Sequence, residues 1–278
     1  MKLHQNFIRN VLIGTLTTVA LFSCSRDDDD SAGPNDGNYL PLAIGNYWNY
    51  VNDVRNEDTK LPETTDSIYA LAKTTVNDLE YTDFGIRQPA TGFTTEFMGN
   101  SIFRKDGSKL LLTGNLGIPV PGVETFQIPI EDGVFYDSEA QRGDIIFELP
   151  VETQQDLDGI PVNLTYNLTV RDAGDFGTYE VNDQSFSNVI ASQLRLNLKV
   201  TTTVDVPILG AQDITILEAT DVLVSDNYFA EGIGLIQSKA VVQYTLEDLS
   251  QFNVTLPIPE TQDVEALQNI TRYKAERE

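Results

Sequence analysis

An all-β or mostly β fold, antiparallel and with at most one or two short helices, is what the sequence predicts. Three observations carry it. From Tyr39 onward, runs rich in Val, Ile, Thr, Tyr and Phe alternate with Gly, Asp, Asn and Pro. The run Val189 to Val206 carries an alternating pattern: Leu194, Leu196, Leu198, Val200, Val204 and Val206 fall on one face, Arg195, Asn197, Lys199, Thr201 and Asp205 on the other. A period of two over that length is a strand with one wet face. Third, Asp-Gly pairs, the dipeptide favoured where turn residues need positive φ, punctuate the chain at Asp106-Gly107, Asp132-Gly133 and Asp158-Gly159.

Taken in order, Ser101 to Gly114 reads as two short strands around Asp106-Gly107, and Val162 to Val170 as a strand followed by a turn at "DAGDFG". The run Val189 to Val206 is followed by turn chemistry and by Ile214 to Ser225, a long hairpin. "GLIQSKAVVQYTL" is a further strand. The C-terminal "TQDVEALQNITRYKAERE" fits a short helix, with Val264, Leu267 and Ile270 on one side, or an edge strand. Trp48, the only tryptophan, lies in an amphipathic first strand and is read as a core anchor. Gly232 and Gly234 bracket Ile233 and mark a bulge, a bend or a close backbone approach.

The N-terminus is organised differently. Met1 to Asn10 carries Lys2 and Arg9, and Val11 to Phe22 is an uncharged, mostly apolar run. It is shorter than the roughly 20 residues a membrane-spanning helix needs. A basic region, a short apolar region and a small residue before a cut form a secretory signal peptide. "LFSC", Leu21 to Cys24, resembles a bacterial lipobox. The resemblance implies cleavage between Ser23 and Cys24 and acylation of the Cys24 thiol, with outer-membrane lipid as the partner of the mature N-terminus. Two or more acyl chains hold a protein on a membrane stably where one does not. The segment from Cys24 to Asn38 is rich in Asp, Gly, Ser, Asn and Pro and reads as a disordered acidic tether. Its start, Ser25, Arg26, Asp27, Asp28, Asp29 and Asp30, resembles the export signal of Bacteroidota surface lipoproteins, which implies a surface-exposed location. The expected organisation is therefore signal peptide 1–23, lipidated cysteine and tether 24–38, and one β-rich domain 39–278.

Two further motifs, "YLPLAIGNYWNYV" from Tyr39 and "NYFAEGIGLIQS" from Asn227, with "GTYEVNDQSFSNVIASQLRL" between them, resemble a group of secreted and lipid-anchored bacterial proteins of undefined activity. Several of these are related in fold to the lipoprotein-carrier half-barrel. The resemblance implies one large curved, half-barrel-like sheet and leaves the activity open.

Charge and side-chain inventory exclude most chemistry. The chain has 18 basic and 42 acidic residues, a net charge of −24; without Lys2 and Arg9 the mature chain carries 16 bases against 42 acids. Such a surface repels phosphate backbones, so nucleic acid is excluded as a partner. The one histidine, His4, lies in the leader, and the one cysteine is Cys24. The mature chain thus lacks Ser-His-Asp and Cys-His catalysis and His/Cys zinc sites. No cofactor is expected. Calcium is the one metal the composition admits, at the oxygen-rich "DLDG" (Asp156 to Gly159) and "DAGDFG" (Asp172 to Gly177), neither of which fits an EF-hand loop. "TDSI" resembles the Bacteroidota O-glycan acceptor, which makes Ser67 the candidate acceptor. Three readings remain open: a non-catalytic envelope protein that binds a glycan or a protein partner or serves a structural role; a lipid or lipoprotein carrier with an apolar concave cavity; and a carboxylate-dependent glycan-binding or glycan-hydrolysing protein.

Overall fold

The computed structural model describes residues 37–278 apart from 118–126, Asp158, 207–209 and 253–255. In chain order its elements are β1 (Tyr47–Asn56), β2 (Thr59–Lys60), β3 (Thr64–Val76), β4 (Leu79–Ile86), α1 (Phe93–Gly99), β5 (Ser101–Asp106), β6 (Lys109–Gly117), β7 (Gln127–Asp137), β8 (Ile145–Leu157), β9 (Ile160–Val181), β10 (Gln184–Val206), β11 (Gly210–Ala230), β12 (Gly234–Thr245), a 3-10 turn (Ser250–Phe252) and β13 (Thr261–Lys274).

The strands form one antiparallel sheet in the order β7-β6-β5-β4-β3-β1-β13-β12-β11-β10-β9-β8, with β2 pairing only β1. Almost every neighbour in the sheet is a neighbour in sequence. The exception is the ladder between β1 and β13, running from Tyr47 opposite Lys274 to Asn56 opposite Val264, which joins the two ends of the described chain. β7 and β8 lie side by side without a ladder, so the barrel is nearly closed and its seam lies there.

Alternation decides the faces. Trp48, Ile68, Phe84, Phe103, Phe135 and Phe229 point inward and are buried. Their rings form a continuous run: Trp48–Phe84 at 5.9 Å, Phe84–Phe103 at 5.0 Å, Phe103–Phe135 at 6.3 Å and Phe135–Phe229 at 5.5 Å between centroids. Such ring pairs contribute about 0.5–1.5 kcal/mol each beyond the area they bury. The concave side is thus occupied by the protein's own side chains, with α1 adding Phe97 and Met98 to the same cluster.

The two motifs that bear the family resemblance meet. Trp48 Nε1 donates to the Ile233 carbonyl at 2.6 Å and Tyr50 Oη donates to the Leu235 carbonyl at 2.9 Å. Gly232 N donates to the Asn38 carbonyl at 2.8 Å. Gly234, at φ +120°, lies so close to Trp48 that a Cβ would stand 2.6 Å from Nε1, so no other residue fits under the indole. Asn46 ties the chain ends together: its Nδ2 donates to the Pro41 and Glu276 carbonyls, and its Oδ1 accepts from Glu276 N.

Several expectations need correction. Gly37 and Asn38, assigned to the tether, are packed against the sheet, and Tyr136 Oη donates to the Gly37 carbonyl. The hairpin after β5 turns on Gly107 and Ser108, with φ +60° at Gly107, so Asp106 ends the strand. Asp132-Gly133 is no hairpin turn: Asp132 holds φ +48° inside β7, where the register against β6 shifts. Its carboxylate accepts Arg104 Nη2 at 2.9 Å, Arg104 Nε at 3.1 Å and Tyr81 Oη at 2.7 Å. That bidentate pair stabilises the bulge and holds the Asp132 carboxyl below the usual carboxylate range. The strand from Val162 does not end at Val170. It continues as β9 to Val181, because a bulge near Gly174 absorbs the irregular "DAGDFG" within the strand. The C-terminal segment is neither helix nor edge; β13 is a central strand between β1 and β12. Of the Asp-Gly pairs, Gly159 does sit in a tight connection, at φ +85° between the paired Leu157 and Ile160, while Asp158 lies outside the described residues.

Candidate binding cleft

The two faces of β3, β1 and β13 carry two polar sites, one residue apart in sequence. The inner one is structural. Asn52, Gln268, Ser238, Asn227, Ser192 and Asp172 stand opposite one another in register across β1, β13, β12, β11, β10 and β9, and all six are buried. A polar row on an apolar face costs free energy unless it is hydrogen-bonded. The helix α1 meets this need in the middle of the row, while Ser192 Oγ and Asp172 Oδ1 have no hydrogen-bond partner. Thr94 Oγ1 and Ser238 Oγ share a hydrogen bond of 2.6 Å, and Gln268 Nε2 donates to Thr95 Oγ1.

A seven-residue helix has no stability of its own, and its N-cap, Gly92, brings no side chain. Asp66 of β3, 2 % exposed, supplies the missing acceptor. Its carboxylate accepts Gly92 N at 2.7 Å, Thr91 N at 3.1 Å and Thr91 Oγ1 at 3.2 Å. Asn52 Nδ2 donates to Thr91 Oγ1 at 2.9 Å. A Cβ on Gly92 would stand 2.8 Å from Asp66 Oδ2, Asn52 Oδ1 and Gln268 Oε1 alike, so any larger residue must push these buried groups apart.

The result is a fixed segment, Arg87 to Thr91, lying over the outer face. Arg87 N donates to the Ser67 carbonyl at 3.0 Å at one end, and Asp66 holds Thr91 at the other. Between this segment and the sheet lies a cleft of about 760 Å³ lined by Asn49, Tyr50, Thr64, Thr65, Asp66, Ser67, Arg87, Gln88, Pro89, Thr91, Thr271 and Arg272. Ser67, Asn49 and Arg272 form one cross-strand row on its floor. Ser67 Oγ donates to Asn49 Oδ1 at 2.7 Å and Thr271 Oγ1 donates to the Asn49 carbonyl at 3.1 Å. Asn49 Nδ2 is left available to the cleft. Chemically the cleft offers hydroxyls, amides and two guanidinium groups, with Pro89 as its apolar side chain, the Tyr50 ring being buried on the inner face. It can hold a polar ligand in place.

Of the residues singled out in the sequence, Ser67 is in this cleft, half-buried in β3. Ser23, Cys24, Ser25, Arg26, Asp27, Asp28, Asp29 and Asp30 lie outside the described residues. Asp156 Oδ1 accepts Gly159 N at 2.7 Å, which is a local turn contact. Asp172 is buried with one carboxylate oxygen unpartnered; burial and then the neighbouring Asp175 push its carboxyl up. Among the described residues no group of three or more His, Cys, Asp or Glu is placed to hold a metal ion, and no helix is long and apolar enough to cross a membrane. Arg87, Arg272, Asn49 and Asp66 were missed by sequence reasoning. The only signal pointing to Asp66 is an acidic residue at a position where strand alternation demands an apolar one. Comparisons with protein-family profiles, curated proteins and solved structures return no match.

Proposed function

We propose that this chain is a non-catalytic protein of the bacterial cell envelope, held to the outer membrane through an acylated Cys24, whose outer-face cleft binds a polar ligand. The observation that carries this reading is the cleft itself: a segment held at both ends above a polar floor, on which the Thr65 hydroxyl and the Asn49 amide N–H groups have no protein partner among the described residues. Largely preformed concave sites with convergent polar groups are where small ligands bind. The missing histidine and free thiol favour binding over turnover. Asp66, the carboxylate at the cleft, is engaged by Thr91 and Gly92 and has no second carboxylate beside it in the lining, which does not favour a hydrolase. The filled interior gives an apolar carrier site little support.

Filling the cleft tests the reading. Thr65 is exposed and lines it, so Thr65→Trp blocks the floor without removing a buried contact. The full chain should bind at least one member of an oligosaccharide panel in titration calorimetry, and the variant should lose that binding while keeping its melting temperature. Unchanged binding in Thr65→Trp would show that the cleft is not the site.

A further inference from the structure

Resting on that reading of the cleft, we infer that its ligand is an acidic sugar, bound through a sulfate or carboxylate group by Arg87 and Arg272. On this acidic chain some arginines are ion-paired and others, such as Arg55 and Arg171, have no ion pair among the described residues. Arg104 pairs with Asp132 at 2.9 Å and Arg195 with Asp221 at 3.1 Å. Arg87 and Arg272 form no ion pair among the described residues, yet both face the same cleft. The third charged residue of the lining, Asp66, lies on the inward-facing side of β3 and is occupied by Thr91 and Gly92. The cleft is therefore locally cationic on a strongly anionic molecule.

Arginine is the side chain suited to such a task, because its planar fork matches an oxyanion bidentately and its hydration is weak. The rest of the lining fixes what carries the oxyanion. Thr65, Ser67 and Thr271 offer hydroxyls, and Asn49 and Gln88 offer amides. That is a donor and acceptor set for a polyhydroxylated ring. A lipid tail would find only Pro89, because the Tyr50 ring is buried on the inner face. The surrounding negative field repels anions at long range, so the two guanidinium groups also act as a filter: a ligand must present its charge at the cleft to be held.

The test titrates the full chain with a galacturonate trisaccharide, a sulfated galactose trisaccharide and the neutral galactose trisaccharide. One or both acidic ligands should bind at least tenfold tighter than the neutral one, and the arm that binds identifies carboxylate or sulfate as the source of charge. Arg87→Ala and Arg272→Ala should each weaken acidic binding by tenfold or more, and by a larger factor than they weaken neutral binding. Arg55→Ala, an exposed arginine outside the cleft, should change neither, and circular dichroism should show all three variants folded. Equal binding of neutral and acidic sugars, abolished by Thr65→Trp, would overturn the inference and leave the cleft as the site. Acidic binding that survives both arginine substitutions would likewise overturn it. Acidic and neutral binding that both survive Thr65→Trp would overturn the cleft reading with it.

Discussion

Asp66 and Ser67 are adjacent in β3 and do opposite things. Asp66 points into the barrel, is sealed from water and spends its oxygens on the backbone of the segment that leads into α1. Ser67 points outward, shares one hydrogen bond with Asn49 and faces an open cleft. The alternation of a strand has put a structural polar group and a ligand-facing one side by side, and the first holds the roof over the second. Polar residues on the inner face hold the segment beside the cleft in place; those on the outer face line the cleft.

The largest effect that would break this contrast is loss of the inner group. Asp66→Ala leaves Thr91 N and Gly92 N without their buried acceptor, so it should cost about 2–4 kcal/mol in denaturant unfolding and reduce ligand binding in parallel. Gly92→Ala should cost about 1–3 kcal/mol, because its Cβ would have to displace three oxygens. Next comes the outer-face pair that contrasts with the unpaired arginines of the cleft. Asp132→Asn should cost about 1 kcal/mol at neutral pH, since the pair is partly exposed. The sign follows from the lowered carboxyl: the folded value lies below the unfolded one, near 3.9. The contribution is present above about pH 4 and fades as pH falls through the folded value, so the variant should lose part of the acid limb of the pH–stability curve.

Asp172→Asn sharpens the contrast from the opposite end of the inner row. Here the buried carboxylate lacks the donors that Asp66 has, and its carboxyl is raised rather than lowered. Ionised above that raised value, it opposes folding. The variant should therefore gain up to about 1 kcal/mol at neutral pH, with the gain vanishing below about pH 4 where both carboxyls are protonated. Ser67→Ala should change stability least, within about 0.5 kcal/mol, while lowering ligand affinity in calorimetry.

How much of this was legible in the sequence depended on whether a strand kept its alternation. The stretch from Ser192 to Leu198 did so, and the long hairpin of β10 and β11 stands as expected although its register shifts near Leu196, Leu198 and Val200. β13 did not. Its inward residues are Val264, Ala266, Gln268 and Ile270, and the buried glutamine interrupts the apolar pattern, so Val264, Leu267 and Ile270 imitated a helical face. Leu267 in fact points the other way. The same polar row hid Asn52 and Ser238 in their strands. The helix α1 escaped notice because it is too short for a period and is held by Asp66, Ser238 and Gln268 rather than by its own propensity. The cleft was out of reach for a related reason. Arg87 and Arg272 are far apart in the chain and share a site only because the last strand lies beside the first.

That last pairing also governs how the protein comes into being. β1 is flanked by β3 on one side and β13 on the other, and their partner residues, such as Asn52 and Gln268, are separated by most of the chain. Each half can begin as a run of local hairpins, but neither Trp48 nor the roof of the cleft has all its partners until the final strand arrives. Such long-range closure makes folding slow and largely all-or-none. A chain cut before Thr261 would lose a central strand rather than a tail, so completeness of the polypeptide is checked by whether the first strand finds the last.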